Sequence, residues 1–222
     1  MLEVNNVSLT KDAKPLFRGL SFIVGEGEVA CVTGGTADTL SLLLHAMMGL
    51  YPTEEGHVSI DGELLTPASS SEFRKLMAYV PHCMPPFDGT VGDVLQLPFN
   101  LEANKTKSFS RSLLLEEWRL LGLDEALLRQ TVKATTVREQ QFAMLSLAGV
   151  LGKPIVLVDG LAAVAGTAEE ARVADYLHHI AQRGASVVAV SVSNLFAGHF
   201  ERRISLPPLG DRTQAQSQSL LL

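Results

Sequence analysis

The sequence predicts an α/β protein whose two ends form one core around an inserted helical region. Three continuous apolar runs, residues 28–33, 154–159 and 186–193, have the composition of strands buried in a parallel sheet. Residues 28–33 read as a strand, residues 34–39 as a polar turn and residues 40–50 as a helix, which is how a βαβ unit begins. The chain has 222 residues, enough for one large domain or for one domain with an insertion.

Shorter β-type runs surround the first of these strands. Residues 4–10 and 20–24 precede it, and residues 56–63 alternate before turning at Asp61-Gly62, a pattern typical of a hairpin. Residues 77–81 predict one more short strand. We therefore expect an additional set of β-strands beside the parallel sheet.

The segment from about 90 to 147 is mainly helical in pattern, and the last third of the chain returns to α/β alternation. Thr167 and Glu170 have the spacing of a capping box, in which hydroxyl and carboxylate satisfy exposed N–H groups. The helix that they begin is expected to end at Arg183-Gly184, a basic last turn followed by glycine. Residues 207–222 are polar and predict a flexible tail, so the expected domain covers residues 1–206.

Composition and charge exclude several classes of function. The net charge of −6 argues against a bulk nucleic-acid-binding protein, which needs clustered Lys and Arg. Two cysteines make no disulfide framework and favour a reducing compartment. The first residues lack the pattern of a signal peptide, and the most apolar stretch, residues 142–152, is shorter than the ~20 residues that span a bilayer. We expect a cytoplasmic protein with no nucleic-acid partner.

Several short segments occur in the order and spacing of one known family. They are Leu16 to Glu28, Leu43 to Gly62, Ala78 to Pro81, Gly89 to Val91, Gly122-Leu123 and Lys153 to Asp159. On these segments, the chain from Leu2 to about Leu206 resembles the ATPase subunit of an ATP-binding cassette (ABC) transporter, most of all the small single-domain ATPases of bacterial exporters. The resemblance implies a P-loop NTPase fold with a RecA-like core, an N-terminal antiparallel β-subdomain and a helical subdomain inserted at about 90–147.

The phosphate loop of that family is altered here. The family pattern is Gly-x-x-x-x-Gly-Lys-Ser/Thr, in which backbone N–H groups wrap the phosphates and the Lys reaches the β and γ oxygens. The matching positions, with the residue that follows, are Gly34, Gly35, Thr36, Ala37, Asp38, Thr39, Leu40, Ser41 and Leu42. Thr39 replaces the second Gly, Leu40 replaces the Lys, and Asp38 adds a negative charge.

These replacements are large on the scale of a binding free energy. One unit-charge contact at about 4 Å is worth roughly 4 kcal/mol at an effective dielectric near 20. A micromolar affinity corresponds to about 8 kcal/mol in total. A different alignment is disfavoured because no better Gly-x-x-x-x-Gly-Lys occurs in the chain. We therefore expect no triphosphate binding of the usual kind.

The other positions implied by the resemblance have also changed. The catalytic Glu falls on Gly160, the switch His on Ser193 and the Q-loop Gln on His82. Gly160 can neither orient nor deprotonate a water molecule. The family's signature falls on residues 136–140, namely Thr136, Val137, Arg138, Glu139 and Gln140. Of this motif Gln140 survives, and Glu139 replaces a Gly whose backbone must approach a phosphate.

Two Mg²⁺-type groups remain, the Ser41 hydroxyl and the Asp159 carboxylate. They are metal ligands only if Mg²⁺ binds; otherwise we expect Asp159 to hydrogen-bond Ser41 or to cap a neighbouring turn. No cofactor is expected, and ATP with Mg²⁺ would be bound if the family function were retained. Whether the chain is an enzyme stays open at this point.

Three functions are compatible with these changes. The first is a non-hydrolysing homologue at the inner face of the membrane, acting as a structural or regulatory subunit of a transporter, alone or in a homo- or heterodimer with another ABC ATPase. Its permease would contact the apolar segment from His82 to Leu101. The alternatives are an ATPase of low activity and a sensor that binds another ligand in the vacated crevice.

Overall fold

The computed structural model describes residues 1–160 and 167–209, without the side chain of Thr167. The strands are β1 (Leu2–Lys11), β2 (Lys14–Val24), β3 (Val29–Thr33), β4 (Glu55–Ile60), β5 (Glu63–Leu64), β6 (Met77–Val80), β7 (Ile155–Asp159), β8 (Ser186–Val190) and β9 (Arg202–Ser205). The α-helices are α1 (Ala37–Met47), α2 (Ser70–Lys75), α3 (Val91–Gln96), α4 (Arg111–Leu121), α5 (Val137–Leu151), α6 (Thr167–Gln182) and α7 (Asn194–Ala197). Short 3₁₀ helices cover Leu97–Asn100, Glu102–Asn104, Glu125–Arg129 and Val132–Ala134.

The strands form two sheets, which confirms the predicted fold class. One is antiparallel with the order β2-β1-β4-β5, and the other is parallel with the order β6-β7-β8-β3-β9. Every residue of β3, β7 and β8 is buried. Since both faces of a parallel sheet are covered, its strands need continuous apolar runs, which is the pattern that the sequence displays.

Several predicted element boundaries differ from the structure, and side-chain caps explain two of the differences. The run 186–193 ends as a strand at Val190, because Ser193 instead caps α7 by accepting a hydrogen bond from the Phe196 amide at 3.2 Å. The helix expected from Leu40 begins at Ala37, because the Thr36 hydroxyl caps it by accepting from the Thr39 amide. In both cases a hydroxyl starts a helix within a segment predicted as strand or loop.

Three apolar clusters form the core. The first packs the antiparallel sheet against α1 and one face of the parallel sheet. The second covers the opposite face of the parallel sheet with α5, α6 and α7. The third lies within the helical segment from Val91 to Leu151, around Trp118 and Leu95. The parallel sheet therefore lies between the first and the second cluster, and this packing holds the carboxyl ends of its strands in place.

The helical segment is joined to the rest of the protein by a buried polar network. Glu117 on α4 accepts from the Tyr176 hydroxyl and from Arg183, both at 2.6 Å. A Cβ at Gly149 would lie 2.3 Å from the Glu117 carboxylate, so only glycine allows α5 to approach α4 this closely. The network therefore ties α4 and α5 to α6.

Some predictions fall outside the described residues. The Thr167 side chain of the predicted capping box lies outside them, as does most of the predicted tail, from residue 210 onwards. Within residues 1–160 and 167–209, no helix has the length and apolar character needed to cross a membrane. The division into domain and tail stays a prediction.

Candidate functional site

A cavity of about 700 Å³ opens at the carboxyl ends of β6, β7 and β8, beside the N-terminus of α1. Open parallel sheets bind ligands at this edge, where the loops that follow the strands meet. We call this cavity the crevice. Its described lining residues are Ala37, Asp38, Leu40, Ser41, His45, Tyr79, Pro81, His82, Asp159, Gly160, Glu170, Val190, Ser191, Val192 and Ser193.

Asp159 is the centre of the hydrogen bonds in the crevice. It ends β7, it is 3% exposed, and its carboxylate accepts from the Ser41 hydroxyl at 2.7 Å. The Tyr79 hydroxyl donates to the other carboxylate oxygen at 2.6 Å, and His82 Nδ1 lies 3.9 Å from that same oxygen. The predicted contact between Ser41 and Asp159 is therefore present. Burial, followed by the bond to Asp159, raises the pKa of Tyr79, so the phenol stays protonated as a donor.

In the first turn of α1, two backbone amides that a phosphate loop would direct at its ligand donate hydrogen bonds within the protein instead. The Thr39 amide donates to the Thr36 hydroxyl at 3.2 Å, and the Leu40 amide donates to the Thr36 carbonyl at 3.0 Å. Gly34 has a φ of +90°, and Leu206 packs against the loop so closely that a Cβ at Gly35 would lie 2.7 Å from its side chain. The segment is thus a capped helix start with an apolar side chain against it.

Leu40, at the position of the family's Lys, is 1% exposed and belongs to the apolar core while forming part of the crevice wall. Leu42 is half-buried and packs against the same core. Ala37 and Asp38 are exposed and line the crevice. The structure thus brings Ala37, Asp38, Leu40 and Ser41 to the crevice and places Leu42 against the core.

The negative charge that Asp38 adds to the loop is paired with a positive charge, which the sequence analysis did not predict. Lys11 at the end of β1 forms an ion pair with Asp38 at 2.6 Å. Hydrogen bonding to Asp38 raises the pKa of Lys11. Both side chains are largely exposed, so the pair is screened by water. The sequence could not pair these residues because β1 and α1 meet only in the tertiary structure.

The segment matched to the family signature is a helix cap. Thr136 and Glu139 form a complete capping box at the start of α5. Hydrogen bonds from the Thr136 amide and hydroxyl lower the pKa of Glu139. Gln140 donates to the Val132 carbonyl at 3.1 Å. Thr136-x-x-Glu139 is itself a capping-box pattern, so this local role was readable from the sequence.

The other two residues of that segment also have neighbours. Val137 is 52% exposed. Arg138 forms an ion pair with Glu169 and lies over the Phe142 ring at 4.5 Å. Such a stacked and paired guanidinium is held at the surface of α5. None of the residues 137–140 lines the crevice within the described part of the chain.

The positions of the catalytic Glu, the switch His and the Q-loop Gln lie around the crevice. Gly160 has a φ of +43° and open space where a Cβ would point. Ser193 donates to Glu170 at 3.3 Å while its hydroxyl also caps α7. His82 is 60% exposed at the rim. The structure therefore groups these predicted residues in space.

Sequence reasoning missed three polar residues of this region. Tyr79 and Glu170 line the crevice, and Glu170 is 4% exposed. Gln141 is fully buried and donates to the His82 carbonyl, and at 3.4 Å to the Gly160 carbonyl, so it links the loops after β6 and β7. In the sequence, Gln141 could have been recognised as a polar amide within the apolar face of a predicted helix. Nothing local distinguishes Glu170 from an ordinary helix-start acid.

Two described residues of the crevice have the chemistry of Mg²⁺ ligands, and no described lining residue is a Lys or Arg that would bind a triphosphate. Ser41 and Asp159 are the hydroxyl and carboxylate that hold Mg²⁺ in P-loop NTPases, and here they touch each other. The residues described as lining the crevice include Asp38, Asp159 and Glu170 but no Lys or Arg. Across residues 1–160 and 167–209, no group of three His, Cys, Asp or Glu side chains could hold a metal ion.

Comparisons with known proteins agree with this architecture. The cytochrome c biogenesis ATP-binding export protein CcmA 1 of Salmonella typhimurium (strain LT2) is 39% identical over 77 residues, which are 35% of this chain and 38% of that relative. The chain thus matches well under two thirds of the relative's length. No protein-family model matches the sequence.

Solved structures are similar over nearly the whole chain. A dimeric bacterial ABC transporter cassette matches with a TM-score of 0.75 and 20% identity, over 93% of this chain and 94% of that chain. The cbiO1 protein of Clostridium perfringens, part of an ABC transporter complex, matches with a TM-score of 0.73 and 12% identity, over 93% and 84%. The predicted resemblance is confirmed: the chain has the fold of an ABC ATPase cassette.

Proposed function

We propose that this chain, a homologue of ABC transporter nucleotide-binding domains, has lost triphosphate binding and acts as a structural or regulatory subunit of a membrane transporter. The observation that carries the proposal is the first turn of α1. Leu40 is buried in the core where the family has a Lys, and the Leu40 amide is used within the helix. A phosphate there would meet no Lys side chain at position 40, and the amides of Thr39 and Leu40 already donate to Thr36.

The residues around the crevice support the same proposal. A γ-phosphate is hydrolysed by a water that a positioned side chain must orient. Gly160 carries no such group, and Ser193 is engaged with Glu170 and with the start of α7. At the signature position Glu139 is committed to the Thr136 cap. Ser193 and Glu139 thus serve the local fold in place of the family's chemistry.

The proposed partner is an integral membrane permease, which contacts the segment from His82 to Leu101. Part of this segment is core, since Met84 and Leu95 are buried. Leu97 and Leu101 are 45% and 57% exposed. Exposed apolar side chains on a helical surface are suited to a partner's short helix. This role places the chain at the cytoplasmic face of the membrane, alone or paired with another ABC ATPase.

Calorimetric titration of the purified protein with Mg²⁺-ATP tests the loss of nucleotide binding. We expect no saturation up to about 1 mM, a concentration that corresponds to roughly 4 kcal/mol of binding free energy. The Asp38→Asn variant should behave in the same way, because removing the charge does not reopen the first turn of α1. A related ATPase with an intact phosphate loop is the positive control. Micromolar binding by the wild type would contradict the proposal.

Affinity purification from detergent-solubilised membranes tests the transporter role. The tagged wild type should retain an integral membrane protein. Replacing Leu97 and Leu101 with Glu should lower its recovery by about tenfold, the effect of losing roughly 1.4 kcal/mol at an interface. Leu64→Glu is the matched control, because Leu64 is 53% exposed but lies on β5. Recovery of the wild type without any membrane protein would count against this role.

One observation favours a second candidate, an ATPase of low activity. The Ser41 hydroxyl and the Asp159 carboxylate lie 2.7 Å apart, close enough for both to reach one Mg²⁺ ion. Steady Mg²⁺-ATP turnover that the Asp159→Ala variant abolishes would favour this candidate. Turnover that survives in that variant would mark a contaminating ATPase.

A further inference from the structure

The crevice is roomy and largely apolar. Its volume of about 700 Å³ lies within the range of small-molecule sites, about 300–1,000 Å³. The apolar part of the described lining consists of Ala37, Leu40, Pro81, Val190 and Val192. An apolar wall with a few converging polar groups is the usual composition of a ligand pocket. The walls therefore suit an organic body better than a hydrated polyanion.

The charges that face the crevice have one sign. Asp159 is 3% exposed and Glu170 is 4% exposed, and both line the cavity. In the described part of the chain, neither forms an ion pair with a Lys or Arg. Asp38, the third carboxylate of the lining, is the one paired with a cationic side chain, Lys11.

The described contacts of the two buried carboxylates are mainly hydroxyls. Asp159 accepts from Ser41 and Tyr79, and Glu170 accepts from Ser193. A hydroxyl satisfies an oxygen lone pair but brings no compensating charge. A buried carboxylate without an opposite charge nearby loses hydration that hydroxyl groups replace only in part. A cation in the crevice would offset part of that loss, whereas an anion would increase it.

Two histidines also face the crevice. His82 Nδ1 lies 3.9 Å from Asp159, and the His82 side chain is 60% exposed. His45 is half-buried, and its ring lies 5.8 Å from that of Tyr79. Of these rings, the phenol of Tyr79 is the aromatic face on which an ammonium group can rest.

From these walls and charges, we infer that the crevice binds a small organic cation, an ammonium group on an apolar body. The ammonium is recognised by the carboxylates of Asp159 and Glu170, and the apolar body packs on Leu40, Val190 and Val192. This inference rests on the proposed loss of triphosphate binding, since both ligands would use the same space. A sensor or regulatory subunit built on this fold would then respond to a small organic cation.

Three probes of matched shape test the inference by calorimetry: phenylpropylamine, phenylpropanol and phenylpropanoate. They differ at one end, which is cationic, neutral or anionic at pH 7. We expect the amine to bind the wild type at least about tenfold more tightly than the alcohol, the size of a charge-assisted hydrogen bond, and the carboxylate not to bind. Equal binding of the amine and the alcohol, or no binding of the amine, would overturn the inference.

Variants locate the site. Glu170→Gln keeps the size of the side chain and an acceptor for Ser193, and it should weaken amine binding by about tenfold. Glu63→Gln is the matched control, since it removes the same charge from an exposed position on β5 and should leave amine binding unchanged. Circular dichroism confirms that each variant is folded. Unchanged amine binding by Glu170→Gln would contradict the inference.

The Mg²⁺-ATP titration separates this inference from the proposed function. Amine binding without ATP binding supports both. ATP binding that the amine does not displace contradicts the proposed function, and it also contradicts the assignment of the amine to the crevice. Absence of binding by both ligands overturns the inference alone and leaves the loss of triphosphate binding in place.

Discussion

The strands of the parallel sheet and the loops at their carboxyl ends differ in how much of the ABC ATPase pattern they retain. The strands β3, β7 and β8 are buried at every residue and belong to a fold that is similar to solved cassettes. The loops that follow carry Leu40, Gly160 and Ser193 at the positions that the resemblance assigns to the family's Lys, Glu and His. Along each of these strands, the residues that build the fold lie within the strand. The residues at positions assigned to the family's chemistry follow its carboxyl end.

The strands and the loops that follow them are subject to different physical requirements. A strand buried on both faces must be apolar for the domain to fold, whatever the domain binds. A loop side chain that binds a ligand is under no such requirement. In this protein, three loop hydroxyls serve local structure instead. Thr36, Thr136 and Ser193 each cap a helix. The comparison teaches that an intact fold is weak support for an intact activity.

The largest effect is expected for a substitution in a strand. Leu157 is fully buried in β7, so Leu157→Ala leaves a cavity and should lower the free energy of unfolding by about 2–5 kcal/mol. Urea denaturation followed by circular dichroism measures this change. Leu195→Ala is the counterpart beyond the carboxyl end of β8, because Leu195 on α7 is 73% exposed and its loss should change stability by less than about 0.5 kcal/mol. Similar losses in both variants would remove the distinction between scaffold and loops.

A smaller effect is expected at the signature position. Thr136→Ala removes the hydroxyl that accepts from the Glu139 amide at 3.2 Å, and it should lower the free energy of unfolding by about 1 kcal/mol. Thr136→Ser retains the hydroxyl and should stay near the wild type. The same denaturation experiment measures both. If Thr136→Ala were as stable as Thr136→Ser, this loop would not be maintained by its cap, and a ligand-related role would gain support.

Much of the fold follows from local patterns. The three apolar runs predicted a parallel sheet, and Asp61-Gly62 predicted the hairpin between β4 and β5, which the structure confirms. Two of the boundary errors fall where the pattern changes from strand to helix, at Thr36 and at Ser193. A capping hydroxyl makes one or two hydrogen bonds, so its signal is weak beside that of an apolar run.

The candidate site followed from the sequence only in part. The bond between Ser41 and Asp159 was predicted and is present, although the residues are 118 positions apart. The resemblance to a family supplied that pairing. The contacts from Tyr79 to Asp159 and from Lys11 to Asp38 were not predicted, because neither pair is marked by any spacing along the chain.

The sequence by itself determined which segments are apolar enough to be buried and which residues occupy the positions that the resemblance assigns to the family's charged groups, since both are properties of residue type. Only the tertiary structure decided that Leu40 joins the core, that Lys11 pairs with Asp38, and that two buried carboxylates face one cavity. Burial and ion pairing depend on distances between atoms far apart in the chain. Those distances exist only once the two sheets and the helices between them have packed.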